Sequence, residues 1–238
     1  AMVMAASEDG IMALADEADP ANTGTAYGVT VVGPDAATIW TEKTNHIVIG
    51  SEGTYTIKGT LKFNDTKWTS TNAFIEISNP GEYRITLIGA NINLEGLDYE
   101  RVLKIANKDA IVYLTVEPEN TAGPSSLTCG WPSSFQQVIE NNGTLYVTSN
   151  AGLTCKGNID NKGTLIIDTS STLKLNGDLS NSREMQITDS SKVETNVFTN
   201  SGTLNISKGT GNTQSSLKVN GGFTNSGKLV IDDSTLTC

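Results

Sequence analysis

Apolar and polar residues alternate in short runs along most of this chain, and the runs recur along the sequence. One run, an apolar residue followed by any residue and then Asn, occurs seven times. Its members are Ile77-Ser-Asn79, Ile105-Ala-Asn107, Ile139-Glu-Asn141, Ile159-Asp-Asn161, Leu179-Ser-Asn181, Phe198-Thr-Asn200 and Phe223-Thr-Asn225. The gaps are nearly constant from Ile139 to Phe198 and longer elsewhere. Such self-similarity is typical of repeats that stack on one another, because a single repeat cannot bury its apolar face alone.

Short strands are predicted in two further columns after each Asn. The first column is Leu145–Val147, Leu165–Ile167, Met185–Ile187, Leu204–Ile206 and Leu229–Ile231, and the second is Leu127–Cys129, Leu153–Cys155, Leu173–Leu175, Val193–Thr195, Leu217–Val219 and Leu236–Cys238. Both alternate apolar and polar residues, which is the period of a strand with one buried face. The sequence therefore predicts an all-β fold, a single-stranded parallel β-helix (β-solenoid) with coils of about 20 residues and insertions at the corners.

The recurring Asn has a physical reason to stay in register. Asn tolerates the positive φ angle that a sharp turn between two strands requires, so the motif predicts a turn at each coil. Its side-chain amide can also hydrogen-bond to the Asn of the next coil, as in stacked asparagine ladders. We therefore expect one ladder of asparagines along the stack.

Gaps that exceed the length of one regular coil indicate insertions in single coils. The largest insertion lies between Glu117 and Gln137, and another spans 208–215. Loops that a rigid stack holds in place are frequent binding sites, so these two are the candidate contact regions. Gly53–Leu61 alternates apolar and polar residues and is predicted to belong to the opening coil.

The chain divides into a leader or cap over residues 1–27 and a parallel β-helix over 28–238. Ser7, followed by Glu8 and Asp9, has the pattern of a helix N-terminus, which predicts a short capping helix; a tail is the alternative. Cys238 falls inside a strand column with no capping sequence after it, which predicts that the solenoid belongs to a longer protein.

Composition narrows the classes of partner. The chain has 16 basic and 26 acidic side chains, a net charge of −10, and 6% aromatic residues. Because no continuous stripe of Lys and Arg is present to neutralise phosphates, nucleic acid is not an expected partner. The acidic balance also opposes an anionic membrane surface, and no run of about 18 apolar residues predicts membrane insertion.

The three cysteines share the second strand column. Their positions predict that Cys129, Cys155 and Cys238 point inward as small apolar residues, so buried free thiols are favoured. Cys129 and Cys155 lie in adjacent predicted coils, where a disulfide is the geometrically allowed alternative. Cys238 can instead pair with a cysteine of a continuing chain.

Several segments resemble the opening coils of a bacterial carbohydrate-binding β-helix family whose fold is similar to that of pectate lyases. They are Tyr55-Thr-Ile57-Lys-Gly59-Thr-Leu61, Ile85-Thr-Leu87-Ile-Gly89-Ala-Asn91-Ile92, Val102-Leu-Lys-Ile105-Ala-Asn107 and Ile111-Val-Tyr-Leu114-Thr, within residues 53–120. The resemblance implies a right-handed helix and a secreted or surface-attached bacterial protein. It also implies binding of acidic plant polysaccharides with calcium, although the sequence itself indicates no cofactor.

Aromatic side chains are the candidate ligand-binding residues, because a ring face packs well against the apolar face of a sugar. Trp131, inside the largest insertion, is the first candidate, and Trp68 and Trp40 in the N-terminal third are the others. Each tryptophan can alternatively cover the core at a coil end. No catalytic residue and no metal ligand is predicted.

The sequence thus favours a non-catalytic, secreted or cell-surface binding module for a polysaccharide or surface glycan. The first alternative is a structural stalk or adhesin domain that binds a host or partner protein. The second is a polysaccharide lyase or hydrolase. For a hydrolase, Asp168 and Asp189 are the pair of carboxylates that adjacent coils would bring within catalytic distance.

Overall fold

A computed structural model describes residues 23–26, 28–34, 47–61, 69–95, 98–117, 125–131 and 134–238. Within these ranges the regular structure is all strand. The strands are β1 (Thr23–Ala26), β2 (Val29–Val32), β3 (Ile47–Ile49), β4 (Gly53–Thr60), β5 (Thr69–Ile77), β6 (Gly81–Glu95), β7 (Asp98–Ile105), β8 (Ala110–Glu117), β9 (Ser126–Trp131), β10 (Ser134–Phe135), β11 (Gln137–Asn141), β12 (Thr144–Val147), β13 (Gly152–Lys156), β14 (Asn158–Asn161), β15 (Thr164–Ile167), β16 (Thr172–Leu175), β17 (Leu179–Asn181), β18 (Glu184–Ile187), β19 (Lys192–Thr195), β20 (Phe198–Asn200), β21 (Thr203–Ser207), β22 (Ser216–Val219), β23 (Phe223–Asn225), β24 (Lys228–Asp232) and β25 (Thr235–Thr237).

These strands stack into three parallel columns, and the chain passes through columns 1, 2 and 3 in turn before it starts the next coil. Column 1 contains β3, β5, β7, β11, β14, β17, β20 and β23. Column 2 contains β4, β8, β12, β15, β18, β21, β24 and the first part of β6, and column 3 contains the rest of β6 with β9, β13, β16, β19, β22 and β25. The predicted parallel β-solenoid is therefore confirmed.

A single core runs between the columns. One coil shows the pattern: Leu145 and Val147 of column 2, Leu153 and Cys155 of column 3 and Ile159 of column 1 are all buried. The residues between them face outward, in agreement with the two-residue period of the sequence. Each coil buries only a thin apolar layer, so stability depends on contact with the coils above and below.

The predicted asparagine ladder is present in the C-terminal coils. The Nδ2 atom of each Asn donates to the Oδ1 atom of the next, over 2.8 Å for Asn141–Asn161 and 2.7 Å for Asn161–Asn181, Asn181–Asn200 and Asn200–Asn225. Each of the first four also donates to a backbone carbonyl of a neighbouring coil, such as Glu184 O for Asn161. These side chains are inward-pointing strand ends that bond to one another, and all but the exposed Asn225 lie in the core. The ladder stops at Asn141, whose Oδ1 atom next to Ile105 is buried and accepts no hydrogen bond.

The turn role predicted for these asparagines is wrong. None of the ladder asparagines has a positive φ angle. Positive φ angles of non-glycine residues lie instead at the corner between columns 2 and 3, in the pairs Ser149-Asn150, Thr169-Ser170 and Asp189-Ser190 and at Asp233. These residues turn the chain there, while the asparagines are fixed by their hydrogen bonds.

Two of the seven motifs are out of register with the ladder. Asn141 pairs with Ile105, and Ile105 pairs with Ile77, so isoleucines occupy the ladder position in the N-terminal coils. Asn79 and Asn107 lie two positions later, beyond the strand ends, where Asn79 donates to Gly50 O over 2.8 Å.

The first described strands do not follow the parallel pattern. β1 pairs with β2 in an antiparallel hairpin, and β2 pairs antiparallel with β4 of the first coil. The hairpin thus covers the N-terminal edge of column 2, and parallel stacking begins with β3 and β4. The predicted cap over residues 1–27 stays a prediction, because of that segment only Thr23–Ala26 lies within the described residues.

The cysteine predictions are confirmed at two of three positions. Cys129 and Cys155 are buried in column 3 and form no disulfide, and burial raises the pKa of Cys155 to about 12. Cys238 is also a free thiol, but it is exposed, so the prediction that it is buried is wrong. The residue opposite Cys155 in the neighbouring strand is Leu127. Cys129 lies two positions further along that strand, so the two thiols do not stand opposite each other.

Candidate functional site

The predicted aromatic site lies largely outside the described residues. Trp40 and Trp68 fall in segments that the structure does not describe. The backbone of Trp131 ends β9 and pairs with Ser134 of β10, so the chain folds back on itself within the insertion between Glu117 and Gln137. The three tryptophans therefore remain predicted ligand-binding residues.

The outer face of column 1 carries one aligned row of polar side chains. They are the middle residues of the repeated motif: Glu140, Asp160, Ser180, Thr199 and Thr224 stand side by side in successive coils. Along this row the side chains become smaller and lose their charge. The face consequently changes from an ion-pair cluster at Glu140 to a shallow groove at Ser180 and Thr199.

This column 1 groove encloses about 260 Å³. It is lined by Gln137, Asn158, Ile159, Asp160, Asp178, Leu179, Ser180, Val197 and Thr199. Asp160 fixes its floor, because it accepts hydrogen bonds from Ser180 Oγ over 3.0 Å and from Gln137 Nε2 over 3.2 Å. Gln137 ends the largest insertion, so the groove lies where that insertion rejoins the coils.

One wall of the column 1 groove is a hydrogen-bonded ridge at the corner between columns 3 and 1. Asn158 Oδ1 accepts a bond from the backbone N–H of Asp178 over 2.9 Å. Asp178 Oδ1 in turn accepts bonds from Asn196 Nδ2 over 3.1 Å and from the N–H of Val197 over 3.2 Å. Each coil thereby holds the corner of the next, so the wall is pre-organised.

The ion-pair cluster borders the groove on the N-terminal side. Glu140 is buried and forms ion pairs with Arg101 and Lys162, and Lys162 also contacts Asp160 at 3.0 Å. Burial alone raises the pKa of Glu140, but the hydrogen bond from Asn142 and the charges of Arg101 and Lys162 outweigh it, so this pKa lies below its ordinary value. The hydrogen bond to Asp160 raises the pKa of Lys162. Glu140 is thus kept ionised, as a structural anion.

A second groove lies at the corner between columns 2 and 3 and encloses about 400 Å³. We call it the corner groove, and its lining is polar: Thr169, Ser170, Asp189, Ser190, Thr210, Gly211, Asn212 and Thr213. One wall is the predicted insertion at 208–215. The sequence therefore placed this insertion correctly at a coil corner.

The inserted turn is fixed to the preceding coil by two side chains. Asp189 Oδ1 accepts bonds from the N–H of Thr210 over 2.7 Å and from its hydroxyl over 2.9 Å. Ser190 Oγ bridges the N–H and the carbonyl of Thr213 over 3.1 and 3.0 Å. Gly209 has a φ angle of 58° and a side chain there would collide with Asp189, so glycine is required.

Two half-buried tyrosines lie on column 2 and stack on each other. Tyr113 and Tyr146 stack at 4.7 Å between ring centroids, and Arg84 lies over Tyr113 at 4.5 Å. Both faces of the Tyr113 ring are therefore occupied by neighbours within the protein. Tyr113 therefore offers a ring edge and a hydroxyl group to a ligand rather than a stacking surface.

The described residues do not fit a calcium site of the kind that the family resemblance implies. Within them, no three His, Cys, Asp or Glu side chains lie close enough together to hold a metal ion. Asp168 pairs with Thr188 rather than Asp189, since the N–H of Thr188 bonds to Ile167 O and that of Asp168 bonds to Val147 O. Asp168 accepts a bond from Thr169 and Asp189 holds Thr210, so both carboxylates take part in the corner structure.

No protein-family model matches this chain, and no curated protein or solved structure matches it either. The resemblance to the carbohydrate-binding β-helix family therefore remains an expectation from the sequence. In addition, the described part of the chain contains no helix that is long and apolar enough to span a membrane.

Sequence reasoning found the insertions but missed the column 1 groove. Its signal is present in the repeated motif, because the middle residue is polar in every one of the last five units and changes from Glu140 to Thr224. A middle residue between two inward-pointing ones must face outward. The groove itself depends on the corner residues Asp178 and Val197, whose alignment across coils of unequal length requires the structure.

Proposed function

We propose that the protein is a non-catalytic binding module for a carbohydrate, with the column 1 groove as its principal site. The observation that carries this proposal is the row of small polar side chains beside a rigid hydrogen-bonded wall. Hydroxyl, amide and carboxylate groups face the groove, and they suit a ligand made largely of hydroxyl groups. Because Asp160 and Asp178 are held by neighbouring coils, they lose little freedom on binding.

The groove suits an extended ligand. Ser180 and Thr199 are small and stand in consecutive coils, so the groove follows the stacking direction. Few apolar side chains line it, which favours hydrogen bonding over ring stacking as the source of specificity. The predicted Trp131 can supplement it, since the insertion that contains Trp131 ends at Gln137.

A matched pair of substitutions tests the site. Thr199 and Thr224 are both exposed middle residues of Phe-Thr-Asn units, but Thr199 lines the groove and Thr224 does not. Thr199→Tyr is expected to weaken glycan binding by roughly tenfold or more, about 1.4 kcal/mol, because it fills the groove. Thr224→Tyr should bind like the wild type. Affinity electrophoresis against neutral and acidic polysaccharides, with calcium and with chelator, provides the measurement.

Thermal unfolding of both variants is the control for folding. Surface substitutions of this kind change stability by about 0.5 kcal/mol or less, so both should melt like the wild type. If the wild type and Thr199→Tyr bound glycans equally well, the column 1 groove would not be the binding site. If only a uronate polymer retarded the protein, and only with calcium, the binding site would be a metal site outside the described residues and the groove proposal would be wrong.

A stalk or adhesin domain that binds a host or partner protein is the second candidate. The continuous asparagine ladder favours it, because four consecutive side-chain hydrogen bonds hold the coils in register as a stiff rod. This function predicts no retardation by any polysaccharide. A lyase or hydrolase, the third candidate, would release unsaturated or reducing ends from one of them.

Our proposal also covers the handedness of the coils and the cellular location of the protein. We infer right-handed coils, because connections between parallel strands of one sheet are right-handed in about 98% of cases. We place the protein outside the cell or on the surface of a bacterium, on the strength of the family resemblance. Fractionation of the source cells tests the location.

A further inference from the structure

The outer face of column 3 is basic although the whole chain is acidic. From β13 to β25 its charged residues are Lys156, Lys174, Lys192 and Lys218, with Glu194 as the one acid. The chain as a whole carries a charge of −10, yet residues 137–238 contain eight basic and nine acidic side chains. The excess of acid therefore resides in residues 1–136, and the C-terminal coils that carry these lysines have a net charge of only −1.

Three of these lysines form a diagonal line across the column. Lys174 aligns with Thr154, two positions before Lys156, and Lys192 aligns with Thr172, two positions before Lys174. Diagonal neighbours in a sheet are roughly 7–8 Å apart. All three side chains are exposed, and we call them the lysine diagonal. Almost a full coil of sequence separates each from the next, which is why no basic stripe is visible in the sequence.

The lysine diagonal connects the two grooves. Lys192 follows Ser190 of the corner groove by two positions, and Lys156 precedes Asn158 of the column 1 groove by two positions. An extended ligand can therefore leave the corner groove, cross column 3 along the lysine diagonal and enter the column 1 groove. Polar side chains line both ends of this path, and ammonium groups line its middle. The carboxylates at the ends, Asp189 in one groove and Asp160 and Asp178 in the other, accept hydrogen bonds from neighbouring coils.

We propose that this path binds one glycan chain that carries sulfate or phosphate groups, without a metal ion. The inference rests on the proposed carbohydrate function and specifies its ligand class. Hydroxyl groups of the chain would occupy the two grooves, and its anionic groups would lie against Lys156, Lys174 and Lys192. The path contains lysine and no arginine, so it offers point charges rather than the planar fork that pairs with a carboxylate.

Glu194 reduces the positive charge of the path. It is the direct cross-strand neighbour of Lys174 and Lys218, and it accepts bonds from Lys218 Nζ over 3.2 Å and from Asn220 Nδ2 over 3.0 Å. An anionic ligand crossing column 3 meets this carboxylate. Glu194→Gln should therefore strengthen binding of a charged glycan severalfold and leave binding of a neutral one unchanged.

The test compares two triple variants with equal net charge. In the first, Lys156, Lys174 and Lys192 are changed to Gln; in the second, Lys58, Lys108 and Lys228, which are exposed elsewhere, are changed to Gln. Binding to dextran sulfate, phosphorylated dextran, uncharged dextran and single-stranded DNA is measured with chelator at several salt concentrations. We expect the first variant to lose roughly tenfold or more in affinity for one or both charged dextrans at low salt, and the second to bind like the wild type. Comparison of the sulfated and the phosphorylated dextran identifies the anion.

The outcomes separate this inference from the proposed function. Weaker binding of charged dextran by both the first triple variant and Thr199→Tyr supports the path. An effect of Thr199→Tyr on glycans with no difference between the two triple variants overturns the role of the lysines and retains the groove. An effect of the lysines without one of Thr199→Tyr, or equally tight binding of DNA, overturns a glycan path and indicates unspecific attraction of polyanions.

Discussion

The N-terminal and C-terminal coils fill the same interior position in opposite ways. Isoleucines occupy it in the first coils, where Ile49, Ile77 and Ile105 stack on one another, and asparagines occupy it from Asn141 to Asn225. The strands from β4 to β8 are long, reaching the full span of Gly81–Glu95 in β6, and those from β11 onward are short, such as Phe198–Asn200 in β20. One fold therefore accepts an apolar and a polar ladder at the same place.

The difference teaches what each ladder specifies. An apolar stack is satisfied by any neighbour of about the right volume, so coils beside it can vary in length. A buried amide destabilises the fold unless its donors and acceptors are paired, and a ladder Asn can bond to the next one only when that residue is in register. The gaps among the four asparagines from Asn141 to Asn200 are nearly constant, against longer and unequal gaps upstream. The longer last gap, to Asn225, contains the insertion at 208–215, and the two asparagines still bond in register.

Moving an asparagine into the apolar ladder should have the largest effect. Ile77→Asn places an amide between Ile49 and Ile105, where neither neighbouring side chain can accept or donate a hydrogen bond. We expect a loss of roughly 3–5 kcal/mol in the free energy of unfolding, from lost packing and from the unpaired amide. Urea unfolding measures it. A loss below about 1 kcal/mol would show that this position tolerates an amide without a ladder partner, which would contradict the distinction between the two ladders.

Breaking the asparagine ladder in its middle comes next. Asn161→Ala removes the acceptor of Asn141 and the donor to Asn181, and it leaves buried polar groups unpaired. We expect roughly 2–4 kcal/mol of destabilisation. Asn225→Ala is the matched control, because Asn225 is exposed and bonds to only one ladder neighbour, so its loss should be much smaller. Equal losses at both positions would contradict a cooperative ladder.

The ion-pair cluster at the junction of the two regions provides a smaller, pH-dependent effect. The pKa of Glu140 lies below its ordinary value of 4.5 in the folded protein, so its ion pairs stabilise the fold above that pH. This contribution is lost as the pH falls through the lower, folded pKa. Glu140→Gln should cost roughly 1–2 kcal/mol at neutral pH, since Lys162 is half exposed. Thermal unfolding of both proteins at a series of pH values should show the difference shrinking below about pH 4.5.

Thiol labelling sharpens the comparison without changing stability. Cys238 is exposed, whereas Cys129 and Cys155 are buried and burial raises the pKa of Cys155. In the native state one thiol should react with a disulfide reagent, and the other two should react only after unfolding. Labelling during urea unfolding then reports when column 3 opens. Rapid reaction of a second thiol in the native state would show that the coils open locally.

Much of the architecture can be predicted from the sequence, because period-two alternation and the repeated Asn are local signals. The ladder, the strand columns and the buried Cys129 and Cys155 follow from them. The shift of Asn79 and Asn107 cannot be seen in the motif, since an apolar-x-Asn triplet reads the same in and out of register. The lysine diagonal is similarly hidden, because its members become neighbours only when coils of particular lengths are stacked.

The turn at Gly209 has a consequence for protein engineering. It adds residues to one coil, yet Asp189 and Ser190 bind it to the coil before, and β22 still pairs with β19 in register. Chain length at this corner is thus uncoupled from the spacing of the strands. A peptide grafted between Thr210 and Thr213 would be displayed on a stiff support whose assembly does not depend on the graft, which makes this corner a natural site for epitope presentation.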